Sequence, residues 1–241
     1  MATFVIVHGA FGGGWEWTPV ARALRRRGHE VFTPTLTGMG DRSHLGPEVG
    51  LSTHVADVVS LLEFEDLRDV VLCGASYGGM SATGAADAVP DRVALLIYLD
   101  ALIPGDGQSG LDLLPPALGD TLCVTAQDGL VPIPAAILPP VGSVPEDRRS
   151  RYVARLRPHP VATFTEPLRL TGAIERIPRA FVRCTLYPLE DDPIAPMAAL
   201  ARARGWPYRE LAATHDPQLF DPEATAAILD ELTAGLLSAS G

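Results

Sequence analysis

Ser76 stands in the run Gly74-Ala75-Ser76-Tyr77-Gly78-Gly79, a G-x-S-x-G arrangement. It follows the apolar stretch Val70-Val71-Leu72-Cys73 and precedes a run of small residues, Tyr77–Ala88. A strand that turns sharply into a helix holds its central serine in a strained backbone conformation. Side chains two positions either side would collide, so Gly74 and Gly78 clear the space. The turn lifts Ser76 off the sheet, and the start of the following helix aims free N–H groups at the same spot. That chemistry is nucleophilic attack by a serine hydroxyl.

A second run, His8-Gly9-Ala10-Phe11-Gly12-Gly13-Gly14-Trp15, lies at the end of the first apolar stretch. In a strand–helix fold with a nucleophile elbow, one oxyanion donor is the backbone N–H after the serine, here Tyr77. The other comes from the loop after an early strand, here Ala10. His8 reads as a support for that loop. Trp15 and Trp17 read as packing beneath it.

A serine nucleophile needs a base. Of the six histidines, His215 fits, because it follows the last apolar stretch and precedes the final helix. The base in turn needs an acid that fixes its tautomer and steadies its charge. Glu190, Asp191 and Asp192 follow the strand-like run Ala180–Leu186 and give the order Ser76…acid…His215. Asp100, at the end of Arg92–Leu99, is another candidate, but reads more readily as capping a turn.

These residues need a scaffold, and the rest of the chain supplies its pattern. Apolar runs at Thr3–His8, Glu30–Pro34, Asp69–Gly74, Arg92–Leu99, Ala180–Leu186 and Pro207–Leu211 predict strands. Pro19–Arg27, Ser52–Glu63, Tyr77–Ala88, Pro193–Arg204 and Pro222–Leu237 predict helices, with Ser52 as a cap for the second. Such alternation predicts an α/β fold with a mostly parallel central sheet flanked by helices. Between them, residues 103–171 hold half of the 22 prolines and cannot form regular sheet or a long helix, although Asp147–Leu156 could be a short one. We expect a core of residues 1–102 and 172–241 with a small lid, 103–171, inserted into it. Apolar lid residues (Leu111, Leu113, Leu114, Ile133, Ile137, Leu138, Val141) suggest a pocket for small to medium apolar groups.

Composition excludes other classes. The 241-residue chain has no lysine, so Schiff-base chemistry, a pyridoxal-phosphate anchor and a G-x-x-x-x-G-K-[ST] phosphate loop are ruled out. A net charge of −10 argues against nucleic-acid partners. No apolar run approaches the roughly 18 residues that span a bilayer. No zinc spacing or dinucleotide G-x-G-x-x-G appears, so no metal or cofactor is expected. Cys73, Cys123 and Cys184 form an odd set. Cys73 and Cys184 fall in strand-like runs and read as buried free thiols. The chain opens on a strand without a signal-peptide pattern, and a cytoplasmic, bacterial-type protein is expected. The oligomeric state stays open, a homodimer included.

Taken together, these runs resemble the α/β-hydrolase superfamily. They are most similar to the branch holding plant methyl-salicylate and methyl-jasmonate esterases and the α/β-fold hydroxynitrile lyases. The similarity lies in Phe4–Ala10, Gly14–Trp17, Leu36–Gly40, Gly74–Met80, Glu190–Ile194 and Thr214–Asp216. It implies Ser76 as nucleophile, His215 as base and Asp191 as acid, because Ile194 three residues on matches the family spacing. It also implies the Ala10 and Tyr77 N–H groups as the oxyanion hole. Lyases of this branch carry threonine and lysine where this chain has Gly9 and Asp216, so the resemblance favours an esterase. Asp216 beside the base would raise its pKa if it stays close. The expected activity is cofactor-free cleavage of a carboxylic ester or lactone through an acyl-enzyme. The alternative is a non-hydrolytic cyclase, lyase or ligand-binding protein of the same fold.

Overall fold

The computed structural model describes residues 1–186 and 191–237. Strand β1 (Thr3–Val7) leads through helix α1 (Thr18–Arg26) to β2 (Glu30–Phe32). Helix α2 (Leu51–Phe64), β3 (Val70–Ala75), α3 (Gly78–Ala88) and β4 (Val93–Leu99) follow. The insertion contains α4 (Pro116–Thr125), β5 (Leu130–Val131), α5 (Glu146–Val153), β6 (His159–Pro160) and α6 (Ala162–Thr165). The chain then returns through β7 (Arg179–Cys184), α7 (Ala195–Ala203), β8 (Tyr208–Leu211), α8 (Pro217–Phe220) and α9 (Pro222–Leu237).

Six of these strands form one parallel sheet in the order β2-β1-β3-β4-β7-β8, while β5 and β6 pair separately and antiparallel. Both faces of the large sheet are covered, which is why its central strands β1, β3 and β4 read as nearly unbroken apolar runs. Phe4 and Ile6 of β1 turn to one face and pack with Val20, Leu24 and Leu229 of α1 and α9. Val5 and Val7 turn to the other and pack with Val58, Leu62, Met80 and Met197 of α2, α3 and α7. The strand order reverses between β1 and β3, and there the carboxyl ends of the strands open a crevice.

Two expectations change. Helix α2 begins at Leu51 after Gly50, with no side-chain cap. Ser52 instead offers its backbone N–H to Glu166 Oε2 of the insertion at 3.2 Å. The proline-rich segment also makes a ten-residue helix, α4, whose two leading prolines occupy positions where no helical N–H is needed. The short helix expected at Asp147–Leu156 forms at Glu146–Val153.

Gly74 and Gly78 behave as their spacing requires. A Cβ on Gly74 would lie 2.7 Å from the Gly78 carbonyl oxygen, and one on Gly78 would lie 2.5 Å from that of Val7. Backbone on both sides cannot yield cheaply. Gly78→Ala should therefore destabilise the protein by about 1–3 kcal/mol. Urea denaturation should show this as a lower midpoint with unchanged slope.

Candidate active site

Three residues at the carboxyl ends of the strands sit in the left-handed region, where non-glycine residues are strained by about 1–3 kcal/mol each. They are Phe11 after β1 (φ 64°), Ser76 after β3 (φ 53°) and Asp100 after β4 (φ 46°). Each is tied by hydrogen bonds. The Ser76 N–H donates to Leu99 O at 3.3 Å, and Ser76 O accepts from Gly79 at 3.1 Å and Leu102 at 3.1 Å. The Asp100 N–H donates to Val182 O of β7 at 2.7 Å.

This places the Ser76 hydroxyl within reach of the β8 loop. His215 Nε2 lies 2.8 Å from Ser76 Oγ, and His215 Nδ1 lies 2.8 Å from Asp100 Oδ2. The carboxylate can only accept, so Nδ1 carries the proton and Nε2 is left to take the serine proton. Asp100 is fully buried, and its other oxygen accepts from Arg183 Nη1 at 2.7 Å and from the Cys184 N–H at 3.0 Å. Burial pushes the His215 pKa down, but the hydrogen bond and charge of Asp100, then the charge of Asp216, outweigh it, so the net shift is upward.

The acid is therefore placed differently from the expectation. Asp191 is exposed on the surface and does not reach the imidazole. Asp192 pairs with Arg183 and accepts the Ile194 N–H at 2.9 Å. Glu190 lies outside the described residues. What reads in sequence as an acid loop forms instead a turn into α7, while the turn residue Asp100 faces the base. The physical reason is reach: β4 and β7 are adjacent, and Asp100 N bonded to Val182 O sets its side chain between β7 and the β8 loop. Ser76 and His215 come together as expected.

Ala10 and Tyr77 line the cavity beside Ser76 and His215. Gly9 keeps this approach open, since a Cβ there would lie 3.0 Å from Ser76 Cβ. His8 is buried and supports the loop as expected. Its Nδ1–H donates to Gly9 O at 2.7 Å, and its Nε2 accepts the Leu36 N–H at 3.0 Å. Burial pushes its pKa down to about 4, partly countered by the Gly9 hydrogen bond. A neutral ring matches both contacts.

Sequence reasoning missed His159, which belongs to the insertion. The Phe11 N–H donates to His159 Nδ1 at 3.2 Å, and His159 Nε2–H donates to Thr163 Oγ1 at 2.7 Å. The Arg157 N–H donates to Phe11 O at 2.9 Å. Insertion residues therefore hold both polar atoms of the strained Phe11 peptide, one residue from Ala10. Nothing in the local sequence signals this, because the partners are 148 residues apart.

The cavity has a volume of about 230 Å³ and an apolar wall that includes Leu114, Leu118, Leu122, Ile137, Leu138 and Phe164. Of the apolar insertion residues expected there, Leu114, Ile137 and Leu138 line it, whereas Leu111, Leu113 and Ile133 pack against the core and Val141 is exposed. Trp17 is buried against α1 and also borders the cavity, while Trp15 packs edge-on against Tyr152. Asp216 stays beside His215 and is half-buried. Among the described residues no cluster could hold a metal ion, and no helix is long and apolar enough to cross a membrane.

Known proteins are similar to this chain in sequence and fold. A carbendazim-hydrolysing esterase from Nocardioides sp. (strain SG-4G) is 38% identical over 250 residues, covering 96% of this chain and 100% of that protein. Methylesterase 10 of Arabidopsis thaliana is 36% identical over 103 residues, 42% of this chain and 38% of that one. Among solved structures, an extracellular α/β-hydrolase from a Paenibacillus species, described as sharing structural and functional homology with tobacco salicylic acid binding protein 2, superposes with a TM-score of 0.85. It is 24% identical, and the match covers 96% of this chain and 99% of that one. Residues 4–228 match the alpha/beta hydrolase family. The chain belongs to the alpha/beta hydrolase family and is a carboxylesterase-like hydrolase.

Proposed function

We propose that the protein is a serine hydrolase that cleaves a carboxylic ester or lactone of a small to medium apolar metabolite through an acyl-enzyme on Ser76. The observation that carries this reading is the continuous chain Ser76 Oγ–His215 Nε2, His215 Nδ1–Asp100 Oδ2 at the floor of one cavity. Ser76 Oγ attacks the carbonyl carbon and passes its proton to His215 Nε2. The N–H groups of Ala10 and Tyr77 hold the oxyanion. The tetrahedral intermediate collapses, and His215 gives the proton to the departing alkoxide. Water then attacks the acyl-enzyme with His215 as base, releasing the acid and restoring Ser76. Asp100 orients the imidazole and stabilises its transient positive charge.

The insertion, residues 103–171, acts in this reading as a lid over a core of 1–102 and 172–241. The cavity volume suits a substrate smaller than a typical drug. Gly9 and Asp216 support hydrolysis over cyanide elimination, because no lysine stands beside the base to receive the leaving anion. The thiols of Cys73 and Cys184 are buried and free, and burial pushes the first up to about 12, which keeps it unreactive.

Three outcomes follow. A fluorophosphonate should add its mass to the wild type and not to Ser76→Ala; equal labelling of both in intact-protein mass spectrometry would overturn the proposal. Asp100→Asn should lower kcat/KM for a p-nitrophenyl ester by on the order of 10⁴, whereas Asp191→Asn should stay within about threefold, as an exposed substitution does. In the pH profile of kcat/KM, His215 must be neutral to act as base. Its raised pKa therefore sets the acid limb above pH 6.5, with activity rising as pH rises through it. Asp216→Asn removes one of the charges that raise it, so the limb should move to lower pH.

A further inference from the structure

Hydrolysis as described leaves one group of cavity residues unused. Glu16 lines the cavity yet is only 7% exposed. Room for its carboxyl is made by Gly12, whose missing Cβ would lie 2.5 Å from both carboxyl oxygens. Asp216 lines the same wall, and its Oδ1 accepts from Tyr152 Oη at 3.2 Å and from Gln218 Nε2 at 3.3 Å. Tyr152 also neighbours Glu16. The indole of Trp17 is 1% exposed and faces Glu16, but its Nε1–H makes no hydrogen bond.

A buried and a half-buried carboxyl with no cation between them are costly unless protons or donors satisfy them. No arginine lines this cavity, and the chain has no lysine. Burial, then the charge of Asp216, drives the Glu16 pKa well above the usual carboxylate range. Burial likewise raises Asp216. A proton on Glu16 and the Tyr152 hydroxyl can therefore run in series towards Asp216. A cationic ligand N–H would take the place of that proton, which passes to solvent, while a neutral N–H would donate to a carboxyl oxygen; either leaves Trp17 Nε1–H for an acceptor on the same ligand. A hydrocarbon substrate would use none of this.

We propose that Glu16, Trp17, Tyr152 and Asp216 form a polar subsite that binds a nitrogen group bearing N–H on the substrate, of the amine, amidine or N–H azole class. The proposal rests on the ester-hydrolase reading for its placement beside the scissile carbonyl. It makes the substrate a compact, mostly apolar ester with one nitrogen function.

The test compares methyl 2-, 3- and 4-aminobenzoate with the matching methyl toluates. The wild type should prefer at least one aminobenzoate over its toluate in kcat/KM by about tenfold, the scale of one buried hydrogen bond. Glu16→Leu, which removes the acceptor, should bring that ratio close to one, and Glu16→Asp should retain part of it. In parallel, calorimetric titration of benzamidine into Ser76→Ala should give binding that weakens by about tenfold on adding Glu16→Gln. Gly12→Ala, which crowds the carboxyl without removing it, should also lower the ratio and serves if Glu16→Leu fails to fold. Esters turned over with no preference, or benzamidine binding indifferent to Glu16, would overturn the subsite. No turnover of any ester alongside Glu16-dependent benzamidine binding would overturn the hydrolase reading and support the subsite.

Discussion

Asp100 is the joint on which the site depends. Its backbone stands in a left-handed conformation at the end of β4 and donates to Val182 of β7. Its carboxylate binds Arg183, the Cys184 N–H and His215. One buried side chain thus connects two central strands to the loop after β8. A buried carboxylate is costly unless its lone pairs are filled, and here three donors fill them. The same arrangement fixes the imidazole tautomer. Without it, the 2.8 Å approach of His215 to Ser76 would have no fixed direction.

The parts of the site that were legible in sequence are those determined locally. The elbow needs glycines at fixed offsets from Ser76 because backbone atoms lie within 3 Å of where Cβ atoms would be. That demand leaves a mark within five residues. His215 was found by position, since one histidine alone stands between the last strand and the last helix. The acid left no comparable mark. Two strands end in carboxylates, and both satisfy the chain order serine, acid, histidine. Choosing between them needs the backbone conformation of Asp100 and the partner of Asp192, and both come from tertiary structure. Ile194 matched the spacing suggested by resemblance, yet its N–H belongs to the Asp192 turn that starts α7.

The sheet was legible for the same reason that the insertion was not. Strands buried on both faces must be apolar throughout, and Phe4 through Val7 show that directly. The path of residues 103–171 is set by contacts to distant segments. Phe11 bonds both Arg157 and His159, and Asp87 of α3 accepts from Thr171 and Ile174. Prolines forbid long regular elements there but do not say where the chain goes. The cavity wall, which decides what can bind, was accordingly the least readable part.

Charge is arranged in this molecule by placement rather than by amount. Lysine is absent, and Arg183 pairs with Asp100 and Asp192 and is not among the residues lining the cavity. The cavity therefore faces its ligand with His215, backbone dipoles and the carboxyls of Glu16 and Asp216. A negatively charged substrate would meet no side-chain cation there except a protonated His215. In the proposed reading, a neutral ester carrying an N–H would meet acceptors in Glu16 and Asp216 and oxyanion donors in the Ala10 and Tyr77 N–H groups. The same desolvation that pushes the Glu16 pKa up also raises the strength of any hydrogen bond a ligand makes to it. A single conformational allowance makes this possible: Gly12 lacks the Cβ that would occupy the space of the Glu16 carboxyl. The loop that brings Ala10 to Ser76 and the pocket that holds Glu16 are thus built from one run of glycines, so the proposed oxyanion hole and the proposed polar subsite share a common structural origin.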